Sequence, residues 1–216
     1  MMKKSLIMVV AALMISASAM AQIPANIMDV LNKCDQKMDD PNGMIIDMTL
    51  KSKILVLSLN GTMRMYEKGD KSFCEVNIKA LGKEMRTEQG FDGQQNWEFE
   101  AALSKKERDT LTITKGAQKK KEKFAVNMGM DKEYKKAKLK TTDKFYEITF
   151  TGPLTKDTPK KSIIRIVKDT YMLHQYETKV SIASVKMTVT KIKLGVSDNV
   201  FNFDPKKYPN AVVVRK

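Results

Sequence analysis

The chain has 216 residues, a formal net charge of +14, 42% hydrophobic residues, one His and two Cys. That is enough for one domain with a sizeable core, and one His with two scattered Cys excludes any zinc-type ligand spacing. A basic exported chain meets anionic lipid, anionic polysaccharide or acidic partner proteins sooner than nucleic acid, with plain solubility as the bland alternative.

The first residues read as a targeting segment. Lys3-Lys4 is a basic start, Leu6 to Ile15 a short apolar run, and Ala19-Met20-Ala21 places small residues where a signal peptidase reads. Cleavage is expected before Gln22, so 1–21 is a signal peptide and 22–216 a single exported domain. Without Lys3 and Lys4 the charge of +14 falls to +12. The apolar run is too short to span a bilayer comfortably. Gln22, not Cys, argues against a lipid-anchored product.

Ala25 to Met38 is predicted as an amphipathic helix, with Ile27, Val30, Leu31, Cys34 and Met38 on one face. Asp39-Asp40-Pro41-Asn42-Gly43 stops it. From Met44 the period becomes two, and Ile54 to Leu59 extends the pattern to a hairpin expected at Asn60-Gly61. Strands follow over Thr62–Glu67 and Ser72–Lys79, with turns at Lys68-Gly69-Asp70 and Ala80-Leu81-Gly82-Lys83. Lys83–Phe91 then leads to the tight turn Asp92-Gly93. Beyond it lies Gln95 to Glu100, with Trp97 and Phe99 on one face and Asn96, Glu98 and Glu100 on the other.

Between Ala101 and Lys140 alternation is weak. Lys115 to Lys123 holds five Lys in nine residues, and Ala117 to Met130 is read as a helix. The strand pattern resumes over Lys144–Phe150, broken at Gly152-Pro153, and continues over Ser162–Val167, Tyr171–Ala183 and Val185–Leu194. The chain closes with Phe201-Asn202-Phe203-Asp204-Pro205 and Ala211-Val212-Val213-Val214. The order is helix, about five strands, a basic partly helical insertion, and about five more strands. The expected fold is therefore α+β. Its long antiparallel sheet curls because twist accumulates, and the N-terminal helix and the insertion cover its concave face.

No nucleophile elbow, phosphate loop or dinucleotide fingerprint occurs, so no enzyme, cofactor or metal is expected. His174 is expected to be an ordinary strand residue. Cys34 and Cys74 are expected as separate buried thiols, with a disulfide as the alternative. Eleven of the sixteen Met lie beyond residue 21, and Met44, Met48, Met63, Met65 and Met85 cluster in the first half. Flexible thioethers suit a cavity for acyl chains, and equally suit ordinary core filling.

The hairpin Phe91-Asp92-Gly93-Gln94-Gln95-Asn96-Trp97, the stretch Gly61-Thr62-Met63-Arg64-Met65 and the Phe201-Asn202-Phe203 ending resemble the LolA-like proteins. These are periplasmic carriers of outer-membrane lipoproteins, and the likeness is to divergent members. It implies an incomplete antiparallel barrel closed by helices, a periplasmic location, and an apolar interior that shields acyl chains. The implied partners are an acylated lipoprotein or lipid and an envelope membrane protein as donor or acceptor, served by a monomer. The sequence departs from the better-known carriers at Lys71-Ser72-Phe73-Cys74-Glu75, where Cys74 stands in place of an Arg that holds the lid. A different lipid or a sensor role therefore stays open. Met63, Met65, Phe91, Trp97 and Phe99 are the expected cavity wall. The alternative is an envelope interaction or sensor module of the same fold, in which Trp97 is packed solidly.

Overall fold

The computed structural model describes residues 23–216 except 55–56, 81, 103, 105–106, 116–129 and 181–182. The expected signal peptide and nearly all of the Ala117–Met130 insertion lie outside the described residues.

The predicted helix forms as α1, Ala25–Met38, just after Pro24, whose carbonyl accepts from the amides of Ile27 and Met28. It buries the five residues of the apolar stripe. Gly43 follows at φ +81, and a Cβ there would collide with Val196 and the Glu67 carbonyl. Only glycine fits that turn.

The strands are β1 (Met44–Ile54), β2 (Leu57–Lys68), β3 (Lys71–Ala80), β4 (Lys83–Phe91), β5 (Gln95–Glu100) and β6 (Thr110–Lys115). After a single helical turn, α2 (Met130–Glu133), come β7 (Tyr134–Thr141), β8 (Phe145–Pro153), β9 (Lys161–Val167), β10 (Leu173–Val180), β11 (Ala183–Leu194) and β12 (Val212–Arg215). They form one 12-stranded sheet in the order β12-β6-β5-β4-β3-β2-β1-β11-β10-β9-β8-β7. Two antiparallel meanders are thus joined through β1 and β11, and β12 adds in parallel to β6. The result is an open, curled, mostly antiparallel sheet with one long helix.

Three local expectations change. Asn60-Gly61 is not a hairpin but lies inside β2, opposite Lys51 and Leu50. Gly61 is needed for closeness, since a Cβ there would strike the Asn77 carbonyl of β3. Gly152-Pro153 does not break β8 but ends it, with Gly152 at φ +70. The weakly patterned middle holds two unforeseen strands. In β7 only Ala137 and Leu139 alternate with lysines after the buried Tyr134 that opens the strand, and in β6 only Leu111 and Ile113 alternate with threonines. Two apolar residues per strand give too short a period to register.

The main core lies between α1 and one face of the sheet. Ile27, Leu31 and Cys34 meet Met44, Ile46 and Met48 of β1 and the apolar rows of β8 to β10. At its edge Tyr134, Ser162, Tyr176 and Thr178 share a closed hydroxyl network, with Tyr134 to Ser162 at 2.7 Å. A second core, around Trp97, Phe99, Leu111, Ile113 and Tyr208, belongs to β5, β6 and the C-terminal segment.

Candidate functional site

Cross-strand register assigns each side chain to a face. Met48 and Ile46 of β1 pack under α1 and stand opposite Met63 and Met65 of β2. Those in turn oppose Val76 and Cys74, while Ile78 opposes Met85 and Ser72 opposes Phe91. The helix face therefore runs from the core below α1 across Met63, Met65, Cys74, Val76, Ile78 and Met85. The cluster below α1 ends at β2, since none of its described members comes from β3 to β6. Beyond that point the strip is half-exposed at Cys74, Ile78 and Met85, with Val76 buried. Its far border is polar: Gln89 and Thr87 stand opposite Glu98 and Glu100, and Thr112 and Thr110 of β6 continue their rows. Burial, and then Glu100, hold the Glu98 carboxyl above the usual range.

Of the five residues expected on one wall, Met63, Met65 and Phe91 share the helix face. Trp97 and Phe99 do not. Trp97 pairs with Gly90 and Phe99 with Glu88, one residue out of phase with Phe91, and a shift of one position reverses the face. On that outer face the C-terminal segment covers them. Phe203 sits 5.2 Å from the Trp97 ring and Tyr208 stacks 4.7 Å above Phe99. A Cβ at Gly90 would sit inside the Trp97 ring. Trp97 is 3% exposed and solidly packed.

The role of this segment was missed from sequence, although the spacing of Phe201, Phe203 and Tyr208 was visible. Tyr208 donates to the buried Glu88 carboxylate at 2.7 Å, and Arg86 pairs with the other oxygen. Burial first, and Glu88 second, push the Tyr208 phenol well above its ordinary range. Next to Glu88, Glu75 is raised by burial and then by that neighbouring charge.

The remaining candidates are structural. Cys34 and Cys74 form no disulfide; Cys34 is buried as expected, whereas Cys74 is half-exposed, and burial pushes the Cys34 thiol up to about 12. His174 stacks on Phe145 at 4.7 Å, its pKa lowered by burial and then by Arg165 and Lys186. Among the described residues no cluster of three His, Cys, Asp or Glu could hold a metal, and no helix is long and apolar enough to cross a membrane. Two concavities stand out. One of about 630 Å³ lies among Glu107, Asp109, Pro209 and Val212, and one of about 260 Å³ among Lys51, Lys53, Ser58 and Lys186.

No family model and no curated protein matches the chain. Among solved structures, an uncharacterized conserved protein from Thermus thermophilus superposes with TM-score 0.53 at 10% identity, covering 88% of this chain and 99% of that one. A LolA superfamily protein from Nitrosomonas europaea matches at TM-score 0.39 and 12% identity over 87% of this chain and 99% of that chain. The lipoprotein LppX of Mycobacterium tuberculosis matches at TM-score 0.45 and 11% identity over 79% and 98% respectively. Likeness at these identities is one of fold alone, and it rests on the Thermus structure.

Proposed function

We propose that the protein is an exported carrier that shields the acyl chains of a lipoprotein or lipid on the helix face and moves them towards the outer membrane. The observation that carries the reading is the apolar strip itself. It continues the α1 core across Met63 and Met65 onto the buried Val76 and the half-exposed Cys74, Ile78 and Met85, bordered by carboxylates and threonines. A chain of methylenes loses about 0.8 kcal/mol per CH₂ when it enters water, so a host surface of this kind is what such a cargo needs. Thioethers suit it because they adapt to a flexible guest. Phe91 closes the strip at one end. No bond is made or broken, and release follows from a displacement where α1 borders the strip at Met63 and Met65. A site that included Trp97 and Phe99 would be a different one, filled by the protein's own Phe203 and Tyr208.

The test is to purify residues 22–216 gently from the native envelope, extract with organic solvent, and identify bound acylated species by mass spectrometry. A stoichiometric acylated species is expected, lost in I78E/M85E with the far-UV circular dichroism unchanged. An empty extract from the unmodified protein sinks the carrier reading.

Two observations favour the second reading, an envelope interaction or sensor module without transport: Trp97 is packed solidly, as that reading expects, and one sheet edge is open and apolar. Strand β12 presents Val212, Val213 and Val214 at 45%, 47% and 37% exposure on the sheet edge beyond β6. An open apolar edge is a template for an added strand of a partner. The opposite edge, β7, carries Lys135, Lys136, Lys138 and Lys140 and is protected from such pairing.

A further inference from the structure

The outer face of the second meander is a plane of positive charge. Register lines its residues into rows that cross six strands, from β1 through β11, β10, β9 and β8 to β7. The first row runs Lys53, Ser184, Lys179, Lys161, Thr151, Lys136. The second runs Lys51, Lys186, Glu177, Ile163, Thr149, Lys138, and the third ends in Arg165, Glu147 and Lys140. Nine cations stand against Glu177 and Glu147, and Arg165 already pairs with Glu147 at 2.6 Å. Most of the lysines are exposed.

Two features separate this face from an ordinary solvated surface. Lys51 stands directly opposite Lys186, and Lys161 directly opposite Lys179. Like charges opposite one another weaken a sheet by up to about 1 kcal/mol a pair, a cost that an anion over them would relieve. Of these four, only Lys186 has a carboxylate, Glu177, as its other cross-strand neighbour. Between the lysines, moreover, lies the hollow of about 260 Å³ floored by Ser58, Asn60 and Ser184. Lys51, Lys53 and Lys186 line it with Ser52, against the single carboxylate of Glu177.

We propose that this face docks the protein onto an anionic lipid bilayer surface. The charge spreads in two dimensions, over roughly 24 Å across six strands spaced about 4.8 Å apart, which matches a plane of headgroups rather than a linear polymer. Ile163 is the one apolar residue in the first two rows, and the His174–Phe145 stack lies at their margin beside Arg165. The lysine rows themselves thus have no aromatic, desolvated centre of the kind a protein interface shows. Binding is therefore electrostatic, without insertion. The proposal does not rest on the acyl cargo of the opposite face, and either can fail alone.

The test uses residues 22–216, which contain every described element, in sedimentation with vesicles of phosphatidylglycerol and phosphatidylcholine or of phosphatidylcholine alone. Tight binding only to the anionic vesicles is expected. It should disappear at about 1 M salt, where the screening length falls to about 3 Å. The variant K51Q/K179Q/K186Q should bind roughly a hundredfold more weakly, at about fivefold per lysine near a charged membrane. The control K37Q/K83Q/K206Q removes the same charge elsewhere and should bind like the unmodified protein. Equal losses in both variants would reduce the effect to net charge and overturn the proposal. So would indifference to lipid charge, or capture of soluble polyglutamate in preference to anionic vesicles.

Discussion

Substituting Gly90 by Ala tests whether the outer-face core is built as described. Gly90 has no positive φ, so a β-carbon costs nothing in backbone strain. Taken alone, Gly→Ala would stabilise by about 0.4–1 kcal/mol through the unfolded chain. The structure reverses that sign, because the new methyl would occupy the ring of Trp97. An indole buries about 150–250 Å², or some 4–6 kcal/mol at 25 cal/mol/Å². The ring would be displaced rather than expelled, so the loss should fall near the top of the overpacking range, about 2–3 kcal/mol. For a chain of this length that is a fall in Tm of about 5–10 °C. Trp97 is the single tryptophan, so its emission reports the site directly: a red shift should accompany the loss. In the background W97L, where the ring is gone, G90A should return to neutral or stabilising. If G90A alone leaves both Tm and emission unchanged, the register that puts Trp97 over Gly90 is wrong. If it empties the protein of acyl cargo while the fold persists, the separation of the two faces is wrong.

The Y208F variant removes the bond to the buried Glu88 carboxylate and should cost about 1.5–3 kcal/mol in urea unfolding. Because the folded Tyr208 keeps its proton where an unfolded tyrosine loses it, its contribution is full below about pH 10 and falls as pH rises further. Y208F should therefore flatten part of the alkaline limb of the urea midpoint, to which Tyr66, Tyr134 and Tyr176 also contribute. His174 behaves oppositely: its lowered pKa gives stability above about pH 6.5 that is lost as pH falls through the folded value. H174F keeps the stack on Phe145 and should reduce the acid loss that sets in below about pH 6.5; an unchanged acid limb refutes the assignment.

Strong local signals were legible in the sequence. The stripe of α1 and the Asp92-Gly93 turn formed as expected, with Asp92 accepting from the amides of Gln94 and Gln95. Two kinds of information were not legible. One is the parity between neighbouring strands. Phe91 and Trp97 lie on opposite faces because Phe91 pairs with Asn96, and a tight turn conceals that offset from anyone counting residues along the chain. The other is what covers a face. Nothing in Phe203 or Tyr208 announces that they fold back over β5, since that contact joins residues about a hundred positions apart. The Asn60-Gly61 dipeptide misled for a related reason: glycine serves equally for a turn and for close approach of a neighbouring backbone.

How cargo can bind beside α1 follows from magnitudes. The helix buries Ile27, Val30, Leu31, Cys34 and Met38 against the sheet. At about 1.5–3 kcal/mol per large apolar side chain, lifting it clear exposes on the order of 8–15 kcal/mol. An acyl chain of about fourteen methylenes carries some 11 kcal/mol at 0.8 each. A single chain that had to replace α1 would gain almost nothing, and binding would be lost to the entropy of ordering the chain. A chain laid along Cys74, Val76, Ile78 and Met85 displaces no helix, so the part of that roughly 11 kcal/mol gained on the side it buries is not offset. The carrier reading thus requires α1 to stay docked on β1 and β8–β10 while it borders the guest across Met63 and Met65, and release needs only a displacement at that border.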